Sequence, residues 1–525
     1  GTGGQGAVGG QAGTGGQMGT GGTGTVSSFS CDAECGASSG AMVQVSAGAD
    51  LQAAIDAAAP GDTLILTAGA DYVGNFVLPV KAGSSCITIR TSTPDAQLPA
   101  ATRVTPADAP KLARVISPGA GLPAIRTDTG AHHYRLIGLE VLPQSSSSAV
   151  YEVIAFGGAE TALADVPHHL VVDRCYVHAW PGANFKRGIA LNSGNSCVIA
   201  SHVSDFHSDF QDSQAIGGFN GPGPFKIYNN RLEGGAENIL FGGATPTIVG
   251  VIPSDIEVRG NHLYKPLSWK AGDPSNTGYT PWVKNLFELK NARNVVVDKN
   301  LMENNWDGAD QHGIAIVLTP RSEGGTAPWT TVENVTITNN VIVHVGGGVQ
   351  ILGTDTPPSQ QANHITVENN LFLDIRADYA FDPAVVRVIQ FTGVDTLTFN
   401  HNTFIYADPT YPMFRTYGDP TTAFVYTNNL VFYGEGIWSD CGTNQTALTC
   451  KLPGSQMAGN VIIGGPSSEF PTGNFFPATA AAAGLNTSTP GSTRYSDYAL
   501  SASSPYLTQG TDGNPPGIDA ANLGP

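Results

Sequence analysis

VTITNNVIV (335–343), ITVENNLFL (365–373) and FVYTNNLVF (424–432) are three statements of one phrase: an apolar run, an Asn, and a second apolar run. The same phrase reads KIYNNRL around Asn230, IEVRGNHLY around Asn261, VVVDKNLM around Asn300 and LTFNHNTFI around Asn402, with a fainter GNVII at Asn460. From Asn230 through Asn261, Asn300, Asn340, Asn370, Asn402 and Asn429 to Asn460 the intervals are 31, 39, 40, 30, 32, 27 and 31 residues. A period of about 20 to 50 residues marks a solenoid or another repeat array. β-branched and aromatic residues on both sides of the Asn read as two strands, and Asn tolerates the left-handed backbone a sharp bend between them needs. Stacked Asn side chains can also hydrogen-bond from coil to coil. Between phrases lies a third apolar run, as in NILFGG, NLFELKN, GIAIVLT, GVQILGT and VVRVIQF. Three short strands per coil, with no sustained 3.6-residue period, describe an all-β parallel β-helix of about ten to twelve coils.

Composition agrees. Charged residues are 13% of the 525, about half the usual share, and the net charge of −18 argues against nucleic acid and anionic membranes as partners. No apolar run is long enough to span a membrane. Residues 1–27 read as a flexible Gly/Thr linker, which with a start at Gly1 suggests a processed chain. Residues 28–44 form a Cys-containing segment, 45–465 the β-helix and 466–525 a C-terminal cap. Of seven cysteines, Cys441 and Cys450 bracket a short loop and suit a bridge; Cys175 and Cys197 lie about one coil apart. A zinc site at Cys31 and Cys35 is the rival to a disulfide role, and an odd count leaves one thiol over.

From Val45 the text runs VSAGADLQAAIDAAAPGDTLILTAGADY: a short amphipathic helix, Pro-Gly-Asp, a strand and Gly-x-x-Tyr. It resembles the N-terminal cap of the right-handed parallel β-helix proteins of the pectate-lyase superfamily, where a helix closes the open end of the stack. HLVVDRCYV (169–177) and CVIASHVSDF (197–206) place Cys175 and His202 at the Asn position. The resemblance covers about 45–525. It implies a fold that hosts lyases, hydrolases, epimerases and adhesins, with the third strand flooring the substrate groove. The Gly-rich tail resembles the spacers of lipid-anchored bacterial surface proteins, so an extracellular or cell-surface location is expected, with a lipid-anchored tail as one route.

The two longest intervals put extra residues into loops at 265–282, 304–311 and 320–331, which hold Trp269, Trp282, Trp306, Trp329 and Tyr279. Loop indoles either stack on sugar rings or pack the loops onto the barrel. The third strands add Lys186, Arg187, Asp212, Gln214, Glu237, Asn238, Lys284, Glu288, Lys290, Gln311, His312, Arg321, Gln350 and Arg387. By alternation Lys284, Glu288 and Lys290 share a face, and Arg187, Glu237, Lys284 and His312 form an approximate column. A mixed charge ladder can serve stability alone. Basic residues beside acids and an imidazole suit β-elimination of a uronic-acid polysaccharide. In that reading Lys284 or Lys290, lowered by cationic neighbours, is the base; Arg321 or Arg187 neutralises the carboxylate, and His312 moves a proton. Lys186, Gln311, Asn238 and the loop aromatics would bind substrate.

Two other readings stand beside it. A glycoside hydrolase would use Glu237 with Glu288, or Asp307 with Asp310; Gln-His-Gly at 311–313 replaces the Gly-His-Gly of the β-helical polygalacturonases. A carbohydrate-binding adhesin would need the aromatics without the charged column. Three residues beyond the Asn position fall His178, Asp205, Glu233, Tyr264 and Glu303, with His207, Asp209 and Asp212 nearby. Calcium on Asp205, Glu233 and Asp212 is the metal such carboxylates would favour, against a hydrated surface row. Beyond that calcium, the sequence points to no cofactor. The sequence leaves oligomeric state open.

Overall fold

The computed structural model describes residues 29–31, 39–308, 312–356, 358–380, 386–407 and 411–524. Their strands form three sheets of 14, 13 and 13 strands, slightly more coils than the Asn phrase alone counts. The first sheet takes the strand before each Asn, such as Val332–Thr338, and the second the strand after it, such as Val341–Val345. The third takes the run between phrases, such as Gly347–Leu352. Neighbours pair in parallel, coil upon coil, except where Trp438 faces Thr443 at one end of the third sheet. The chain is a right-handed parallel β-helix. One continuous apolar core runs along its axis, from Val45 and Leu51 to Tyr498 and Ile518. The helix Leu51–Ala57 begins at an Asp50 cap that accepts from the Ala53 N–H at 3.0 Å, and it turns Leu51 and Ile55 into that core. Among the described residues no helix is long and apolar enough to cross a membrane.

The repeated Asn lies inside the coil. Every one from Asn230 to Asn460 is fully buried. Asn300 shows the pattern: its Oδ1 accepts the backbone N–H of Asn261 at 2.9 Å and the Asn261 side-chain amide at 3.0 Å. Its own amide donates to Val258 O and to Asn340 Oδ1, both at 2.9 Å. The ladder continues into Asn474 at one end and, through Asn230, into Ser201 and Cys175 at the other. The left-handed residue is the one before the rung: Asn229, Lys299, Asn339, Asn369, His401 and Asn428 have φ of 52° to 58°. The rung itself has to point inward to reach its neighbours, so the bend is taken one residue earlier. His202 is also displaced from its expected place. Ser201 is the rung, and His202 opens the second-sheet strand between Tyr176 and Arg231.

The segment after residue 466 runs back along the outside of this turn. Thr511 N donates to Asn428 Oδ1 at 2.7 Å, Asp519 N to Asn369 Oδ1 at 2.6 Å and Gly524 N to Asn339 O at 2.8 Å. Cys441 and Cys450 form a disulfide, as their spacing suggests. Cys197 bridges to Cys31, 166 residues away, rather than to Cys175. Cys175 is a ladder rung with its thiol in the core, where burial pushes it up to about 12. The Cys31 bridge removes the zinc alternative at that residue; Cys35 lies outside the described residues.

Candidate functional site

The third sheet does not alternate strictly. Ala215 and Ile216, Leu286 and Phe287, and Ala315 and Ile316 are consecutive pairs that both enter the core. Each strand therefore presents outward positions three residues apart. One outward row reads Arg187, Gln214, Glu237, Asn285, and the next reads Ala190, Gly217, Leu240, Glu288, Val317, Gln350, Gln390. Arg187 and Glu237 thus share a row as expected. Lys284 falls one residue before Asn285, and His312 two residues before the strand Ile314–Leu318. The double inward step shifts the register that simple alternation assumed.

The first row is a hydrogen-bonded relay. Arg187 donates to Glu152 Oε1 at 3.0 Å and to Gln214 Oε1 at 2.8 Å, and the Gln214 amide donates to Glu237 Oε2 at 2.8 Å. There the relay stops. Glu237 Oε1, both oxygens of Glu288 and both side-chain atoms of Asn285 are buried with no hydrogen-bond partner. Lys290 Nζ lies 3.2 Å from Glu288 Oε1, close enough for an ion pair but off the line of a hydrogen bond. Lys284 pairs with Asp212 at 2.8 Å. Burial, then the charges of Glu288 and Asp212, hold the Glu237 carboxyl well above the usual range. Both lysines are held up: the carboxylates Glu237, Asp212 and Glu288 outweigh the desolvation that would lower them. Neither Lys284 nor Lys290 is lowered toward a neutral base, because their nearest charged neighbours are anions rather than cations.

Arg321 is half exposed, 3.4 Å from Asp355, and its backbone N–H donates to Lys290 O at 2.8 Å. His312, about one-third exposed, lies 3.9 Å from Asp307. Lys186 sits 4.8 Å over the Tyr151 ring. Gln311 and Asp310 are outside the described residues. Asn238 turns inward, where its amide donates to Leu232 O and Tyr264 O, so it holds the backbone and does not face a groove.

The aromatics divide. Trp269 and Trp306 are buried with Val283 and Tyr379, and His207 meets Trp269 edge-on at 4.9 Å. They pack the loops down, because an indole on a long loop can bury its whole face there. Trp282 remains 38% exposed. Trp329 is half-buried and donates to Val251 O at 3.1 Å. Tyr279 bonds Asn184 Oδ1 at 2.9 Å and His207 Nδ1 at 3.1 Å. Between the packed pair and Tyr379 opens a cleft of about 310 Å³, lined also by Lys270, Thr280 and Asp307.

Of the three calcium residues, Asp205 and Glu233 stand on adjacent second-sheet strands, where the Asp205 charge adds to the rise that burial gives Glu233, and Asp212 lies on the path to the third sheet. Asp212 belongs to Lys284, while Glu233 on the second sheet pairs with Arg231 at 2.7 Å. Burial raises Asp205, and lifts Glu233 to about 7. Sequence reasoning missed Lys265. It is fully buried, and its ammonium donates to Gly234 O, Gly235 O, Ala236 O and Asn238 Oδ1 at 2.7 to 3.2 Å. Burial lowers it, with Glu237 opposing. No local pattern announces such a residue; three carbonyls converge on it only once the coils stack.

No protein-family model and no curated relative matches the chain. Solved structures do resemble it. The PL6 family alginate lyase AlyGC matches at 14% identity over 92% of this chain and 58% of that one, with a TM-score of 0.44. A mannuronic acid specific polysaccharide family 6 lyase from human gut microbiota matches at 10% over 84% and 92%, with a TM-score of 0.39. Pectate lyase Pel9A matches at 12% over 91% and 95%, with a TM-score of 0.32. The likeness is one of fold.

Proposed function

We propose that this chain cleaves a uronic-acid-containing polysaccharide by β-elimination on the outer face of the third sheet. The observation that carries the reading is the concentration of Lys284, Lys290 and Arg321 at the edge of a buried carboxylate pair, in a chain otherwise poor in charge.

Elimination has three needs: neutralising the uronate carboxylate, removing the proton beside it, and protonating the oxygen that leaves. Arg321 and Lys290 neutralise the carboxylate and stabilise the enolate-like charge that follows. His312, an imidazole beside Asp307, accepts the proton from the sugar carbon. As the carbon–oxygen bond breaks and the ring double bond forms, Lys284 donates a proton to the leaving oxygen. The Asp212 carboxylate paired with Lys284 favours its protonated form and suits it as this acid. Trp282 offers the exposed apolar face on which a sugar ring can stack.

The test is incubation with pectate, alginate and glycosaminoglycans, following ultraviolet absorbance of unsaturated ends alongside total reducing ends. Both should rise together on one polymer. Reducing ends without unsaturation would mean hydrolysis, and neither signal would leave a carbohydrate-binding surface protein.

A further inference from the structure

Four of the chain's 12 histidines stand in two adjacent coils, as doublets at 132–133 and 168–169. The doublets open consecutive strands of the first sheet, His132–Ile137 and His168–Asp173, with His132 in register with His168. They face away from the candidate active site, on a different sheet.

Their arrangement follows from a second ladder. In most first-sheet strands from the coil of His132 onward the second or third residue is left-handed: Asn195, Asp255, Asn294, Asn334, His364 and Thr396 all have φ between 44° and 60°. Asn334 donates to Asn294 Oδ1 at 3.1 Å, and Asn294 to Asp255 Oδ1 at 3.2 Å, so this outer row is polar and stacked. His133 and His169 occupy the same row with φ of 60° and 57°. The left-handed bend swings each second ring beside the first. Within a doublet the Nδ1 atoms approach to 2.8 Å in the first coil and 2.5 Å in the second. Between coils His132 stacks on His168 at 5.0 Å and His133 on His169 at 4.4 Å, each pair within 8° of parallel. All four rings are half-buried, within reach of solvent. Ligand atoms of His133, His168 and His169 lie within 4.8 Å of one another, the one such metal-sized group among the described residues.

We propose that His133, His168 and His169, with His132 beside them, bind a divalent late-transition-metal ion, zinc foremost, which staples these two coils. Imidazole nitrogen suits zinc, copper and nickel and is a poor donor for calcium or magnesium. Four imidazoles from rigid, register-locked strands give the donor number a closed zinc site uses, and three leave one position to water. Zinc–nitrogen bonds of ~2.0–2.1 Å need donors roughly 3 Å or more apart, so binding opens each doublet slightly. The competing role is a stacked imidazole ladder held by Nδ1–H···Nδ1 hydrogen bonds, which would bind no ion.

The experiment titrates the full chain with zinc chloride by calorimetry, repeats it with nickel and copper, and records the visible spectrum with cobalt. A double variant, His133→Asn with His169→Asn, places at those positions the residue that Asn195, Asn294 and Asn334 already supply in other coils, so it should fold. Wild type is expected to bind one zinc, to show cobalt d–d absorption, and to melt at higher temperature with zinc. The double variant should lose more affinity than the roughly 10–100-fold that changes around a ligand cost. Absence of zinc, nickel and copper binding to wild type would overturn the proposal, as would equal zinc affinity in the double variant with its melting profile intact. Should the double variant unfold, His168→Ala alone decides: unchanged affinity would equally remove the site.

Discussion

The asparagine ladder and the third-sheet charged strip are both buried polar arrays repeated along one axis, and they differ in whether the hydrogen bonds are complete. Each internal ladder Asn gives and receives within the array, so a polar row crosses the apolar core without an orphan group. The strip begins the same way, Glu152 to Arg187 to Gln214 to Glu237, and then leaves Glu237, Asn285 and Glu288 with open valences. Buried polar atoms without partners cost stability. Asn285 and Glu288 stand in the first of the two enlarged coils, and Glu237 in the coil before it.

That contrast can be broken by substitution. The largest effect expected is on turnover: Lys284→Ala should lower kcat by about 10²–10⁴-fold on the active polymer, the usual contribution of a proton-transfer group. Less than a tenfold loss would take Lys284 out of the chemistry. Next comes Asn300→Ala, which strips the acceptor from the Asn261 backbone and side-chain N–H groups and should cost roughly 3 kcal/mol. Denaturant melts would show it, and a change below 1 kcal/mol would mean the ladder relaxes around the gap.

Glu237→Gln should act in the opposite direction. The raised Glu237 carboxyl keeps its proton in the folded chain at pH values where the unfolded chain, with an ordinary value of about 4.3, has released it. In that window the folded state binds more protons, so stability falls as pH rises from the ordinary value through the raised one. Gln keeps an acceptor for Gln214 and carries no charge. The variant's melting temperature should therefore gain on wild type as pH goes from 4 to 8, and a constant difference would contradict the raised value. The smallest effect expected is for Trp282→Ala, a severalfold rise in KM with melting unchanged. Trp306→Ala, which empties a packed cluster, should lower the melting temperature instead.

Much of the coil was legible in the Asn phrase, because a period-two apolar pattern on either side of a polar rung has few other uses. The charged residues of the strip were legible as residues and mistaken in role. Lys284 and Lys290 were read beside cations, but the charges against them are carboxylates: Glu288 is two residues from Lys290, while Asp212 and Glu237 lie 47 to 78 residues away in sequence and reach the lysines only through coil stacking. Cys197 likewise sits one coil from Cys175 and bonds Cys31.

Sequence alone determined the three-strand coil, the buried asparagine row, the short disulfide and the side of the barrel that carries the long loops. All of these follow from local periodicity and spacing, which set what one coil can do. Tertiary structure decided which residue takes the left-handed bend and which carboxylate oxygens lack a hydrogen bond. It also decided that two tryptophans pack and one stays exposed, and that two histidine doublets stack into one cluster. Those outcomes depend on the register between coils, where one extra inward residue per strand moves every outward side chain against its neighbour above.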